Sequence, residues 1–189
     1  PEGTRRFRGV LENIQTLCQT SSVPIVVKEV GSGISRVTAN RLRNAGVSAI
    51  DIAGSGGTSW GYIEGLREKT QFGRTLGEQF RSWGIPTAYN LSSLRRDHPE
   101  FPLIASGGIR DGHTVAKAVA LGANVVGLAL PFLKAALESE QCAFRFMEEL
   151  TTALKIVMAA TGSRNLSDLS KHVCLGRPYQ PEGGHEYEH

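Results

Sequence analysis

The 189-residue sequence predicts an α/β fold built from about four β-strand–α-helix units. Three observations carry this reading. Four short apolar runs, "VPIVVKEV" (23–30), "SAIDIAG" (48–54), "FPLIASG" (101–107) and "NVVGLAL" (124–130), lack polar–apolar alternation. Continuous runs of that kind suit a parallel sheet covered by helices. Amphipathic stretches separate the runs. In both "RNAGVSAIDIAG" and "VALGANVVGLAL" a helix closes on glycine just before the next strand, the rhythm of right-handed βα crossovers.

The elements follow in chain order. Strand 23–30 carries Lys28 and Glu29 near its end. Neighbours on a strand face opposite ways, so one points to the mouth of the sheet and the other to the helix layer. A lysine in an apolar run is costly to bury unless it meets an anion. A helix over 35–46 takes Ser35 as its N-cap and stops at Gly46. Strand 48–54 ends in glycines, followed by the hydroxyls of Thr58 and Ser59 and the flat face of Trp60. Residues 54–75 read as a long loop, a length associated with function or disorder. A helical turn there would put Glu64 on the same face as Trp60. A helix spans about 86–97 from Pro86. Strand 101–107 leads into a helix over 111–123, capped by Asp111 and ending at Gly122. After strand 124–130, a long helical region covers about 131–160 from Pro131. The body is assigned to residues 1–170, and 171–189 is a polar, exposed tail without a core pattern.

Bulk properties exclude several classes. A formal charge of +3, with scattered basic residues, gives no nucleic-acid footprint. No apolar stretch approaches the ~20 residues of a membrane helix, and the polar start "PEGTRRFRG" shows no signal peptide. Cys18, Cys142 and Cys174 lack zinc-type spacing and read as reduced thiols of a cytoplasmic protein. The histidines are dispersed, with no HExxH.

The chemistry concentrates at strand ends. Gly107 and Gly108 let bare N–H groups approach a phosphate, and Arg110 adds a charged fork. The next strand ends at Ala129 and Leu130, where Pro131 opens a helix whose N-terminus attracts anions. Two successive strand ends thus converge on one phosphate site, as in the last two loops of a (β/α)8 barrel. A complete barrel takes ~250 residues. Four strands make either a small open α/β domain or half a barrel.

"VPIVVKEVGSGIS", "AIDIAGSGGTSW…EG", "LIASGGIRDG" and "NVVGLALPFLK", in this order and spacing, give a wider resemblance. Over residues 1 to about 170 the chain resembles the C-terminal half of type 2, flavin-dependent isopentenyl-diphosphate isomerases. "GGIR" is common to many flavin barrels; "KEVGSG" together with "AGSGGTSW" is far more specific. Relatives that oxidise 2-hydroxy acids carry a histidine-containing glycine motif after the sixth strand, which is not found here.

The resemblance implies the C-terminal half of a TIM barrel that binds FMN and interconverts isopentenyl and dimethylallyl diphosphate. It implies that Lys28 lies against the flavin pyrimidine edge and that Thr58 touches the flavin. Gly107, Gly108, Arg110, Ala129 and Leu130 would hold the phosphate. Trp60 would line the substrate, and Glu64 would act in catalysis. Glu2, in the leading "PEG", would bind the Mg²⁺ that carries the substrate diphosphate. NADPH or another donor would reduce the flavin. The partner so implied is an N-terminal half-barrel, and open strand edges also predict a homo-oligomer. The alternatives are another FMN-dependent barrel oxidoreductase and a non-catalytic half-barrel.

Overall fold

The computed structural model describes residues 6–173. Its strands are β1 (Val26–Lys28), β2 (Ala49–Asp51), β3 (Leu103–Ala105) and β4 (Val125–Val126), paired in parallel in chain order. The register sets Lys28 beside Asp51, Asp51 beside Ile104, and Ile104 beside Val125. This is the predicted set of four βα units. The central strands carry the core: Ile50, Ile52 and Leu103 are fully buried. The edges do not, and Val26 and Val125 remain about half exposed at 48% and 56%. A parallel strand is apolar on both faces, so an edge without a neighbour leaves apolar surface in water.

Helices cover the outer face. The first, α1 (Val10–Thr20), packs Leu11, Ile14 and Cys18 onto the core. It is not among the elements expected above, although Leu11, Ile14 and Cys18 recur at helical spacing. Next, α2 (Arg36–Asn44) is capped by Ser35, whose hydroxyl accepts from the Thr38 N–H. It buries Ala39 and Leu42.

Residues 54–75, expected to be a loop, instead contain α3 (Trp60–Arg67) and the start of α4 (Gln71–Gln79). Ser59 and Thr70 cap these two helices. They form a hairpin that crosses at glycine: a Cβ on Gly65 would lie 2.5 Å from the Gly77 Cα. Glycine lowers helix propensity, so the feature that holds the hairpin together hid its helices from a propensity reading.

Then comes α5 (Thr87–Asp97), which buries Leu91 and Leu94 against the sheet. Its Asn90 exchanges two 2.8 Å hydrogen bonds with the backbone of Ile34 and so anchors the loop after β1. Asp111 caps α6 (Gly112–Ala120) through the Thr114 N–H at 2.7 Å.

The single helical region expected over 131–160 is divided into α7 (Leu130–Glu138) and α8 (Glu140–Ala160). Ser139 is extended, with φ −170° and ψ 164°, and its hydroxyl accepts from the Cys142 N–H. One residue therefore ends one helix and caps the next. A 3₁₀ helix over Leu166–His172 packs on α6 and buries Leu169. The boundary expected between 170 and 171 falls inside it. Cys174 and the rest of the tail lie outside the described residues, as does Glu2.

Candidate functional site

The four strands point their C-terminal ends at one cleft of about 500 Å³. Each strand, or the loop after it, supplies a wall. From β1 comes Lys28. Its Nζ lies 3.5 Å from Asp51 Oδ2 and donates to the Glu29 carbonyl at 3.0 Å. Strand alternation turns Glu29 the other way. Its Oε2 accepts from the N–H groups of Val30, Gly31 and Ser32 at 2.6, 2.7 and 2.6 Å. Lys28 faces the cleft as one of the pair was expected to, but Glu29, instead of meeting the helix layer, pins the loop after β1.

From β2 comes Asp51, buried at 9% exposure. Its Oδ1 accepts from the Ser106 hydroxyl at 2.6 Å and the Ala53 N–H at 3.2 Å. Ala53 has φ +34°, the one positive φ outside glycine among the described residues. A non-glycine residue there is strained, and such strain clusters at functional sites. Thr58 and Trp60 stand on the rim, with Trp60 55% exposed at the start of α3. Ser59 between them donates to the Phe80 carbonyl at 3.0 Å and ties the rim to the hairpin.

From β3 comes the glycine pair. Gly107 and Gly108 have φ of +97° and +81°. A Cβ on Gly107 would collide with the Gly54 carbonyl, and one on Gly108 would lie 2.5 Å from the Gly56 carbonyl. These glycines let the loops after β2 and β3 press together, besides baring backbone to the cleft. The Thr87 hydroxyl, at the start of α5, donates to the Gly107 carbonyl at 2.7 Å. Arg110 bridges the same loops through the Gly108 and Gly56 carbonyls at 3.0 and 3.1 Å.

From β4 come Ala129 and Leu130. Leu133 N–H to the Ala129 carbonyl is the first bond of α7, which leaves the earlier N–H groups directed at the cleft. Among the described residues, the N–H groups of Gly107, Gly108 and Leu130 meet no backbone acceptor.

Lys28, Thr58, Trp60, Gly107, Gly108, Arg110, Ala129 and Leu130 therefore share one cleft. Glu64 does not. It lies one turn along α3 from Trp60, but it faces a second hollow between α3 and α4 and pairs with Arg67 at 2.8 Å. Among the described residues no group of three or more acidic, histidine or cysteine side chains is placed to hold a metal.

Sequence reasoning missed Asp51, Ser106 and Thr87. Asp51 was visible: a carboxylate inside "SAIDIAG" poses the same burial problem as Lys28 in its run. Thr87 carried no signal, because its role is a contact with a distant carbonyl.

A family model described as FMN-dependent dehydrogenase matches residues 6–175. An isopentenyl-diphosphate delta-isomerase from a Nostoc strain is 51% identical over 177 residues, covering 94% of this chain and 51% of the relative. One from a Synechococcus strain is 49% identical over 170 residues, covering 90% and 49%. The chain thus spans about half the length of the curated relatives it matches. A mandelate oxidase with bound (S)-4-hydroxymandelic acid superposes with a TM-score of 0.63 at 20% identity, covering 84% of this chain and 39% of that one. That likeness carries the fold alone: four successive parallel βα units of a (β/α) barrel architecture.

Proposed function

Because the chain belongs to the FMN-dependent dehydrogenase family, we propose that it forms the flavin-binding half of a barrel that interconverts isopentenyl and dimethylallyl diphosphate. The observation that carries this reading is the single cleft shared by Lys28, Thr58, Trp60 and the phosphate-type loops. The isomerase names of relatives near 50% identity support the substrate class. The residues present fit FMN. A volume of about 500 Å³ falls within the usual range for ligand pockets, ~300–1,000 Å³. A cation stands on one wall and bare N–H groups on another, which suits a planar ring with an electron-rich edge joined to a phosphate.

The chemistry that FMN supplies when bound is proton transfer at an unactivated double bond, for which ordinary side chains are weak acids. The chain's own residues do the rest. Lys28 stabilises negative charge at the ring edge. Gly107, Gly108, Arg110, Ala129 and Leu130 fix the phosphate and so set the ring's position. Thr58 meets the ring, and Trp60 gives the isoprenyl chain an apolar wall and excludes water. Glu64, to which the resemblance gives the catalytic role, stands outside this cleft, in the hollow between α3 and α4. Glu2, which would hold Mg²⁺ with the substrate diphosphate, lies outside residues 6–173. NADPH or a similar donor keeps the flavin reduced.

The other four βα units of the barrel pair with the open edges of β1 and β4, and the working enzyme is a cytoplasmic homo-oligomer. Among the described residues no helix is long and apolar enough to cross a membrane. The test mixes the chain with the complementary half from a relative, adds reduced FMN and Mg²⁺, and follows double-bond migration by NMR. Migration without net consumption of reductant is the expected result. Oxidation of a 2-hydroxy acid with no migration would replace this reading with the dehydrogenase alternative.

A further inference from the structure

A carboxylate lines the cleft, and the reading above gives it no role. Asp51 ends β2 with Lys28 as its register partner on β1 and Ile104 on β3. Its flanking neighbours in the strand run, Ile50 and Ile52, are buried aliphatic residues. A site that needed only core there would hold a third. Removing a carboxylate from water is costly unless it is both hydrogen-bonded and paired. Asp51 is both, and its oxygens divide the work. Oδ1 accepts from Ser106 on the β3 side and from Ala53 N–H. Oδ2 faces the Lys28 ammonium at 3.5 Å.

Lys28 needs such a partner. Its side chain is 56% exposed, and its other polar contact is the carbonyl of the adjacent Glu29. A lysine stem is flexible and its ammonium has no preferred direction of its own. A carboxylate fixed by two hydrogen bonds supplies one.

We propose that Asp51 is a positioning residue: anchored by Ser106, it holds the Lys28 ammonium against the cleft wall, where it meets the electron-rich edge of a bound ring. The ring contact rests on the FMN reading; the hold on Lys28 does not. The polar chain Lys28–Asp51–Ser106 spans three strands, so the position of the charge is set by the sheet and not by a mobile loop.

The experiment labels lysines of the 189-residue chain with an amine-acetylating reagent and reads each site by peptide mass, with exposed Lys155 on α8 as the internal reference. Asp51→Asn keeps an oxygen to accept from Ser106 and Ala53 but removes the ion pair. Lys28 labelling relative to Lys155 should rise about fivefold, the equivalent of about 1 kcal/mol for a partly screened pair. Ser106→Ala, which loosens the carboxylate but keeps its charge, should give a smaller rise. Unchanged Lys28 labelling in Asp51→Asn overturns the proposal, as does a rise shared equally by Lys155. A parallel arm adds FMN to the parent chain. Protection of Lys28 supports the ring contact; no protection removes that contact from the proposed function and leaves the arm without flavin to decide on Asp51.

Discussion

Replacing Gly108 with alanine tests whether the glycine pair serves the fold as well as the ligand. Two penalties add. At φ +81° a Cβ brings the left-handed strain of about 1–2 kcal/mol. That Cβ would lie 2.5 Å from the Gly56 carbonyl oxygen and 2.6 Å from its carbon. Both are backbone atoms, so the contact is relieved only by moving one loop, at about 1–3 kcal/mol. The sum is about 2–5 kcal/mol, and at about 2–4 °C per kcal/mol for a chain of this size the thermal midpoint falls by about 4–20 °C. Gly162→Ala separates the two penalties: its φ is +68°, but no atom lies within 4 Å of the added Cβ. It should lose only the strain part. Circular dichroism melts of parent and both variants decide the matter. Equal midpoints for Gly108→Ala and Gly162→Ala would refute the argument that loop-to-loop contact requires glycine at 108. Flavin affinity measured on Gly108→Ala alone would confound ligand approach with loop displacement, since Arg110 bonds to both the Gly108 and Gly56 carbonyls.

Three further outcomes follow from the same geometry. Lys28→Ala should weaken FMN binding or slow turnover of the completed barrel while lowering the thermal midpoint by only about 2–4 °C, because the lost pair with Asp51 is partly screened and worth about 1 kcal/mol, and Ser106 and Ala53 still bond the carboxylate; a collapse of stability with normal flavin binding refutes this. Arg95→Ala should destabilise by about 2–3 kcal/mol in urea unfolding. Burial pushes the Arg95 guanidinium down from its ordinary value, yet it donates to the carbonyls of Gly122, His98, Pro99 and Phe101 and to Asn124 Oδ1; a loss under 0.5 kcal/mol contradicts the reasoning. Asp111→Ala should cost about 1 kcal/mol near neutral pH through loss of the α6 cap. The Thr114 hydroxyl, followed by the Thr114 N–H, holds the Asp111 carboxyl below the usual range. A lowered folded value gives stability that is present above the unfolded value of about 3.9 and lost as pH falls through the folded one. The gap between parent and variant should therefore narrow in acid, and a gap that widens there refutes the sign.

The sequence by itself determined what rests on short-range physics. Periodicity and continuous apolar runs located the four strands. Ser35 and Asp111 announced their helices because a cap acts within three residues. The glycine pair and Arg110 announced a strand-end site because φ and charge belong to the residue itself. The resemblance then gathered Lys28, Thr58, Trp60, Ala129 and Leu130 around it, and the structure brings all of these to one cleft. Tertiary structure decided whatever depends on a distant partner. The hairpin of α3 and α4 exists because Gly65 meets Gly77, a pairing that propensity reads backwards. Ser139 ends α7 because its hydroxyl caps α8, although an apolar pattern runs through it. Glu64 shares a helix turn with Trp60 and still opens onto another hollow, because α4 lies against that side of α3. Asp51 gained meaning only when Ser106 and Lys28, 55 residues away and from the neighbouring strand, closed on its two oxygens. A side chain's chemistry is written in its own residue; the neighbour that orients it is supplied by the fold.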